Sequence, residues 1–264
     1  MPNNDAQMRS AAYRLPARDL DFLMGDSMRG VRFLLEYAKA EELLRKWGVA
    51  STVVVFGSAR VEPAPEEAGV DGKAHPAPRS AAWYAEARRF GRIVSERGGA
   101  LWPIEGKRDN VIATGGGPGI MEAANRGASE AGAPSIGFNI RLPAEEEPNQ
   151  YTTPELTFQF HYFAMRKMHL AMRANALVIF PGGFGTLDEL FEILNLVQTE
   201  KMQRVPIVCV DAEYWQRVIN IPMLAEEGMI DPDCVTVMAY AENAEEAWTC
   251  LVDGGLPLPS GRAG

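Results

Sequence analysis

A glycine-rich turn followed closely by acidic residues is the part of this chain best suited to chemistry. The turn reads Pro-Gly-Gly-Phe-Gly-Thr over residues 181–186, and it lies between a short apolar segment and a segment with helical periodicity. Gly182, Gly183 and Gly185 permit positive φ and allow an anion to approach the backbone, while the following helix directs unpaired N–H groups at the same point. The turn therefore predicts a phosphate site, with the Thr186 hydroxyl either capping the helix or donating to the anion.

The same residues also fit an ordinary tight turn that leads into a helix. Asp188 and Glu189 fall near the start of the predicted helix, where carboxylates are favoured by the helix dipole. Asp188 is expected to be a capping or structural acid. The spacing of the turn alone does not choose between a phosphate site and a purely structural turn.

Two further glycine turns follow predicted strands. A buried strand predicted at 51–56 runs into Gly57 and Ser58, and a second strand predicted at 110–113 runs into Thr114-Gly115-Gly116-Gly117. The carboxyl ends of parallel strands meet at one edge of a sheet, so the three turns are expected to converge there. Three glycine turns at one crevice predict a nucleotide site. The first turn also fits a glycine needed only for the turn itself, and Arg60 beyond it fits either a phosphate partner or a surface ion pair.

The second glycine block does not match the dinucleotide-binding fingerprint Gly-x-Gly-x-x-Gly. That fingerprint also requires an acidic residue about 20 positions further on to bind the ribose. The corresponding strand, Ser135-Ile136-Gly137-Phe138-Asn139-Ile140, offers Asn139 instead. We therefore expect no NAD cofactor.

Three ordered sequence blocks resemble the LOG family. This family comprises the cytokinin riboside 5'-monophosphate phosphoribohydrolases, whose members were often labelled lysine decarboxylases. The blocks are PGGFGTLDE at 181–189, TGGGPGIMEAA at 114–124, and the pair Arg166-Lys167, fifteen residues before Pro181. The resemblance covers about residues 52–210, and the N-terminal extension is similar to that of the longer members.

The resemblance implies a role for each block. Gly182, Gly183, Gly185 and Thr186 would hold the 5'-phosphate of a nucleoside monophosphate. The ribose and base would lie along Gly57, Ser58, Thr114, Gly115, Gly116, Gly117 and Lys167. Glu189 and Arg166 would form the catalytic pair, with Glu189 stabilising the sugar charge and orienting water while Arg166 holds that carboxylate and the nucleotide.

The implied reaction is hydrolysis of the N-glycosidic bond of AMP or N6-prenylated AMP, giving free base and ribose 5-phosphate. No cofactor and no metal are implied, and family members form homodimers or larger homo-oligomers with a shared active site. Short members usually read Met-His-Glu before the Arg-Lys pair, whereas this chain reads Phe163-Ala164-Met165. We therefore expect contacts to the base or to a neighbouring subunit to differ.

Two other functions compete with the hydrolase. The first is a non-catalytic nucleotide or molybdenum-cofactor carrier with the same glycine-rich architecture, which has no chemical need for both Arg166 and Glu189. The second is a pyridoxal-dependent lysine decarboxylase, which requires a Schiff-base lysine with a supporting cofactor site. The sequence shows no such site.

The alternation of strand and helix patterns predicts an α/β fold. We expect a Rossmann-like, doubly wound parallel sheet flanked by helices. The predicted divisions are an N-terminal arm and helical extension at 1–50, a nucleotide-binding catalytic domain at 51–254, and a tail at 255–264. We further expect a long loop at 61–80 that acts as a lid, a helix at 212–227 and a short edge strand at 234–238.

Composition narrows the remaining possibilities. A formal charge of −9 and a pI near 5.0 argue against a general nucleic-acid surface, although a mononucleotide needs only a local site. The odd number of cysteines and their spacing favour neither disulfides nor a zinc site, and His161 and His169 are expected to be structural. With no apolar run of membrane length and no pattern of signal-peptide type at the N-terminus, the expected location is the cytoplasm.

Overall fold

The computed structural model describes residues 3–64, 79–141 and 147–259. Most of the lid loop predicted at 61–80 therefore lies outside the described residues, as do part of the acidic run at 145–147 and the end of the predicted tail. None of the helices in the described ranges combines the length and apolarity needed to span a bilayer.

A single parallel sheet of seven strands forms the centre of the described structure. Its order is β4-β3-β2-β1-β5-β6-β7, which confirms the predicted fold class. Val54 in the middle of the sheet pairs with Ala113 on one side and Leu177 on the other. The strands are β1 Thr52–Phe56, β2 Val111–Thr114, β3 Ser135–Ile140, β4 Thr157–Phe160, β5 Ala174–Ile179, β6 Ile207–Val210 and β7 Met238–Ala241.

Helices cover both faces of this sheet, so its central strands are apolar on both sides. In β1, Val53 and Val55 face a core shared with α4, α5 and α10, whereas Val54 and Phe56 face the core shared with α3 and α6–α9. The helices are α1 Asp5–Arg9, α2 Leu20–Met24, α3 Arg29–Lys46, α4 Ser80–Arg97, α5 Ile120–Glu130, α6 Phe163–Met172, α7 Phe184–Gln198, α8 Ala212–Val218, α9 Ile221–Glu226 and α10 Ala244–Asp253.

Helix α3 of the N-terminal extension holds α6 at both ends. Near the start of α6, the Glu36 carboxylate accepts from the backbone N–H groups of His161 and Tyr162. Just after its end, Arg173 Nη2 lies 2.7 Å from Glu41 Oε1, and both side chains are largely buried. Because α6 carries Arg166, the extension contributes to placing a predicted site residue.

Two local predictions are wrong. The structure has a 3₁₀ helix at Pro232–Thr236 where an edge strand was expected, and β7 follows at Met238–Ala241. Pro232 fixes φ at a value that suits a helical first turn and starts the 3₁₀ segment. The helix expected at 212–227 is broken between α8 and α9, because Pro222 has no N–H and its ring would clash with the carbonyl of Val218 in a continuous helix.

Candidate functional site

A cavity of about 860 Å³ opens at the carboxyl ends of β1 and β5. This is the edge where open parallel sheets bind ligands. The cavity is lined by residues from the first and third glycine turns and by both predicted catalytic residues. The predicted site residues among them are Gly57, Ser58, Arg166, Gly182, Gly183, Gly185, Thr186 and Glu189.

The glycine turns of β1 and β5 are joined by backbone hydrogen bonds. Phe180 N donates to Phe56 O at 2.8 Å, and Ser58 N donates to Pro181 O at 3.0 Å. The Ser58 carbonyl in turn accepts from Ile120 N at the start of α5. The floor of the cavity is therefore fixed by main-chain contacts among three elements.

Helix α7 begins at Phe184, directly after Gly183, and no side chain caps it. Its first backbone bond runs from Leu187 N to Gly183 O at 3.0 Å. Within the described ranges, the N–H groups of Phe184, Gly185 and Thr186 have no hydrogen-bond partner. Unpaired N–H groups at the positive end of a helix dipole form a ready site for a phosphate.

The three glycines of this turn matter for space and not for positive φ. None of Gly182, Gly183 and Gly185 adopts a positive φ, so that part of the prediction is wrong. A Cβ on Gly182 would lie 2.1 Å from Thr186 Oγ1, whereas a Cβ on Gly183 or Gly185 would meet nothing within 4 Å. Gly182 thus makes room for Thr186, and the other two leave the backbone open to a ligand.

Glu189 lies one turn further along α7 and is 7% exposed. Burial raises the pKa of its carboxyl to about 7, against the opposing effect of the positive charges on Arg166 and Lys167. A carboxyl with this pKa exchanges a proton near neutral pH, which suits a general base or a group that responds to charge on a substrate.

Arg166 lies on α6 and lines the same cavity. Burial lowers the pKa of its guanidinium, while the charges of Glu189 and Asp188 act in the opposite direction. Arg166 Nε is buried and has no hydrogen-bond partner among the described residues. A Cβ on Gly115 would lie 2.5 Å from Arg166 Nη2, so this glycine of the second block makes room for the guanidinium.

Lys167 connects α6 to α7 and is not part of the cavity lining as described. Its Nζ lies 2.8 Å from Asp188 Oδ2 and 2.7 Å from Glu192 Oε2. These ion pairs fix the spacing between the helix that carries Arg166 and the helix that carries Glu189. The arrangement matches the structural role expected for Asp188, while the predicted contact of Lys167 with ribose or base stays a prediction.

The second glycine block lies beside the cavity and is not part of its lining as described. Thr114 is buried, donates to Asn125 Oδ1 at 2.7 Å and accepts from Gly116 N at 2.9 Å. Gly116 has a φ of 73°, and Gly117 O accepts from Asn149 Nδ2 at 3.0 Å. The predicted contact of Thr114, Gly115, Gly116 and Gly117 with ribose and base therefore stays a prediction.

Two aromatic residues of the cavity were not found from the sequence. Trp83 Nε1 donates to Asp211 Oδ2 at 2.8 Å, and Tyr214 Oη donates to Gly182 O at 2.9 Å. Both side chains line the cavity. They belong to no spaced motif, so only the fold brings them to the glycine turn.

Comparisons with known proteins test the predicted family resemblance. A model of the family described as possible lysine decarboxylase matches residues 121–251. Cytokinin riboside 5'-monophosphate phosphoribohydrolase LOG7 of Arabidopsis thaliana is 27% identical over 143 residues, which cover 53% of this chain and 64% of that protein. LOG5 of the same plant is 28% identical over 141 residues, which cover 53% of this chain and 61% of that protein. The family model and these relatives confirm the predicted resemblance to the LOG family.

The match to these plant proteins spans less than two thirds of their length. Among solved structures, the X-ray structure of TM1055 has a TM-score of 0.50 and 20% identity, covering 77% of this chain and 99% of that one. It supports the fold of this chain and nothing finer. The molybdenum cofactor binding protein of Rippkaea orientalis has a TM-score of 0.47 and 18% identity, covering 78% of this chain and 95% of that one, which is too distant to bear on function.

Proposed function

We propose that this LOG-family protein is a nucleoside 5'-monophosphate phosphoribohydrolase. It would cleave the N-glycosidic bond of AMP or N6-prenylated AMP and release free base and ribose 5-phosphate. The observation that carries the proposal is the arrangement of one cavity: the uncapped start of α7 opens into it, and the buried carboxyl of Glu189 lies one turn further along the same helix.

The start of α7 suits the 5'-phosphate. The unpaired N–H groups of Phe184, Gly185 and Thr186 would donate to the phosphate oxygens, and the Thr186 hydroxyl lies beside them. Open space next to Gly183 and Gly185 allows the anion to reach the backbone. A phosphate held here places the sugar within reach of a residue further along α7.

Glu189 suits the chemistry at the sugar. Breaking the bond between C1' and the base leaves positive charge on the ribose, as in other glycoside cleavages. The ionised carboxylate would stabilise this charge and accept a proton from the water that attacks C1', while the departing base takes up a proton. A pKa of about 7 leaves a large ionised fraction at neutral pH.

Arg166 suits the role of holding both the carboxylate and the nucleotide. Its charge favours the ionised form of Glu189, and its Nε has no partner among the described residues. The guanidinium would donate to the substrate and keep the carboxylate in place. Phe163 and Met121 give the adjoining wall of the cavity an apolar surface, which suits a base that carries a prenyl group.

The rim of the cavity supports a proposed homodimer or larger homo-oligomer. Phe184 is 92% exposed at the start of α7, and Phe163 is 52% exposed at the start of α6. Large apolar side chains grouped at the mouth of a site are typical of a protein interface. We propose that a second copy covers this rim and shares the site, which light scattering would test. A monomer at working concentrations would contradict it.

Release of free base is the direct test of the activity. Purified protein is incubated with AMP and with isopentenyladenosine monophosphate, and the base is quantified by chromatography. Glu189→Gln and Arg166→Ala are expected to lower kcat at least about a hundredfold, the scale of a lost acid–base group. Glu200→Gln, at an exposed position just after the same helix, serves as the control. The proposal is refuted if neither nucleotide releases base and the Glu189→Ala protein behaves like wild type. Binding of a nucleotide without turnover would favour the carrier function.

A further inference from the structure

The cavity has a second arm on the far side of the glycine turn from Arg166. Arg166 lies against Gly115, which follows β2, whereas Trp83 and Tyr214 lie against Asp211, which follows β6. In the sheet order these strand ends are separated by β1 and β5. At about 4.8 Å between neighbouring strands, the lining spans roughly 14 Å.

The volume of the cavity is large enough for a ligand that occupies two arms. At about 860 Å³ the cavity lies near the upper end of the range for small-molecule sites, which is about 300–1,000 Å³. In the proposed function, the phosphate lies at the start of α7 and the sugar lies beside Glu189 and Arg166. This placement leaves the arm beyond the phosphate without an occupant.

The walls of the second arm are aromatic and firmly held. The rings of Trp83 and Tyr214 are 5.8 Å apart at 70°. Trp83 is fixed by its hydrogen bond to Asp211 and by the Arg79 guanidinium, 5.5 Å from its ring. Asp211 is buried, accepts from Tyr214 N at 3.0 Å and has a φ of 73°, a strained conformation of a kind found at ligand sites.

The second arm is also connected to the phosphate turn, and the cavity that contains both carries a positive charge. Tyr214 Oη donates to Gly182 O at 2.9 Å, so the aromatic wall adjoins the turn directly. Arg60 lines the cavity with an exposed side chain and forms no ion pair within the described ranges. An aromatic wall and a cation in one cavity fit a planar group that follows a second phosphate.

We propose that Trp83, Tyr214 and Arg60 form a second subsite for a planar group joined to the nucleotide through its 5'-phosphate. Dinucleotides, in which the nucleotide is joined to a second planar group through a pyrophosphate, then bind across both arms, with the pyrophosphate at the start of α7. This proposal rests on the proposed function for the placement of the first phosphate. The proposed pyrophosphate position, at the start of α7, differs from that in NAD-binding Rossmann domains. In those domains the pyrophosphate lies at the turn after the first strand.

Calorimetric binding to the Glu189→Gln protein, in which turnover is blocked, tests the subsite. The probes are AMP, ADP and the compound of two adenosines joined 5' to 5' by a pyrophosphate. Stacking of a base on an aromatic side chain predicts about tenfold or tighter binding of the dinucleotide than of ADP. Trp83→Leu is expected to remove this preference, and Arg60→Gln to weaken ADP and dinucleotide about two- to fivefold relative to AMP.

Trp102 provides the matched control, because it is 58% exposed in another part of the chain, and Trp102→Leu is expected to leave all three affinities unchanged. Equal affinity for ADP and the dinucleotide would overturn the subsite, as would a Trp83→Leu protein that loses AMP and dinucleotide binding to the same extent. Because Arg60 is exposed, Arg60→Gln still tests the subsite if Trp83→Leu fails to fold. A dinucleotide preference without AMP hydrolysis would keep the subsite and refute only the hydrolase.

Discussion

Replacing Glu189 with Gln is expected to make the protein more stable at pH 8 while removing the proposed hydrolase activity. The cause is the buried carboxyl, whose pKa rises from 4.5 to about 7 on folding. Between these two values the folded protein keeps a proton on Glu189 that the unfolded chain has already released. The free energy of unfolding therefore falls as pH rises through this window, and the loss is nearly complete at pH 8.

The size of the effect follows from the same two values. At 1.36 kcal/mol per pH unit, the difference between about 7 and 4.5 corresponds to about 3 kcal/mol. Gln has nearly the shape of the protonated carboxyl and carries no charge, so Glu189→Gln is expected to recover about 2–3 kcal/mol at pH 8. For a chain of this length, that gain raises Tm by roughly 5–10 °C. Near pH 4.5 and below, the gain is expected to disappear.

Thermal and urea unfolding at pH 5 and pH 8 measure this prediction. Asp188→Asn is the matched control, because Asp188 is the preceding residue of α7 and its side chain is 59% exposed in an ion pair with Lys167. This control is expected to leave stability unchanged or slightly lower at both pH values. If Glu189→Gln is no more stable than wild type at pH 8, or if its gain is the same at pH 5, the carboxyl is not held in a desolvated site and the reasoning fails.

Three further predictions concern the glycine turn and the pH profile. Thr186→Val keeps the side-chain shape but removes the hydroxyl. Steady-state kinetics should therefore show KM for AMP raised about tenfold or more, with a smaller change in kcat. An unchanged KM would exclude a contact between this hydroxyl and the phosphate. In urea unfolding, Gly182→Ala is expected to lower the free energy of unfolding by about 1–3 kcal/mol, because the added methyl group overlaps Thr186. Gly183→Ala adds a methyl group in open space and is expected to keep this free energy within about 0.5 kcal/mol of wild type. If ionised Glu189 is the active form, kcat/KM rises as pH increases through about 7, and a flat profile from pH 5 to 8 would contradict its role.

The sequence predicted the sheet well because its signals are local. Apolar segments such as Val53–Val55 alternate with amphipathic helices, and β3 occupies the predicted range. Errors arose where proline competed with the hydrophobic pattern. Pro222 divides the helix expected at 212–227, and Pro232 starts a 3₁₀ segment inside the expected edge strand.

The sequence predicted the parts of the candidate site that lie within contiguous motifs. Gly182–Thr186 and Glu189 are consecutive on one turn and helix, so their meeting at one cavity follows from local structure alone. Trp83, Tyr214 and Asp211 are distant in sequence and meet only because α4 and α8 both start at the same edge of the sheet. The positive φ that the sequence suggested for Gly182 is not found; this glycine is needed because the side chain of Thr186 occupies the space that a Cβ would take.

A crystal structure after soaking with AMP tests the central claim most directly. The account predicts the phosphorus at the start of α7, with its oxygens within hydrogen-bond distance of the N–H groups of Phe184–Thr186, and C1' beside the Glu189 carboxylate. A nucleotide bound with its phosphorus away from residues 182–186, or with C1' out of reach of Glu189, would contradict the account.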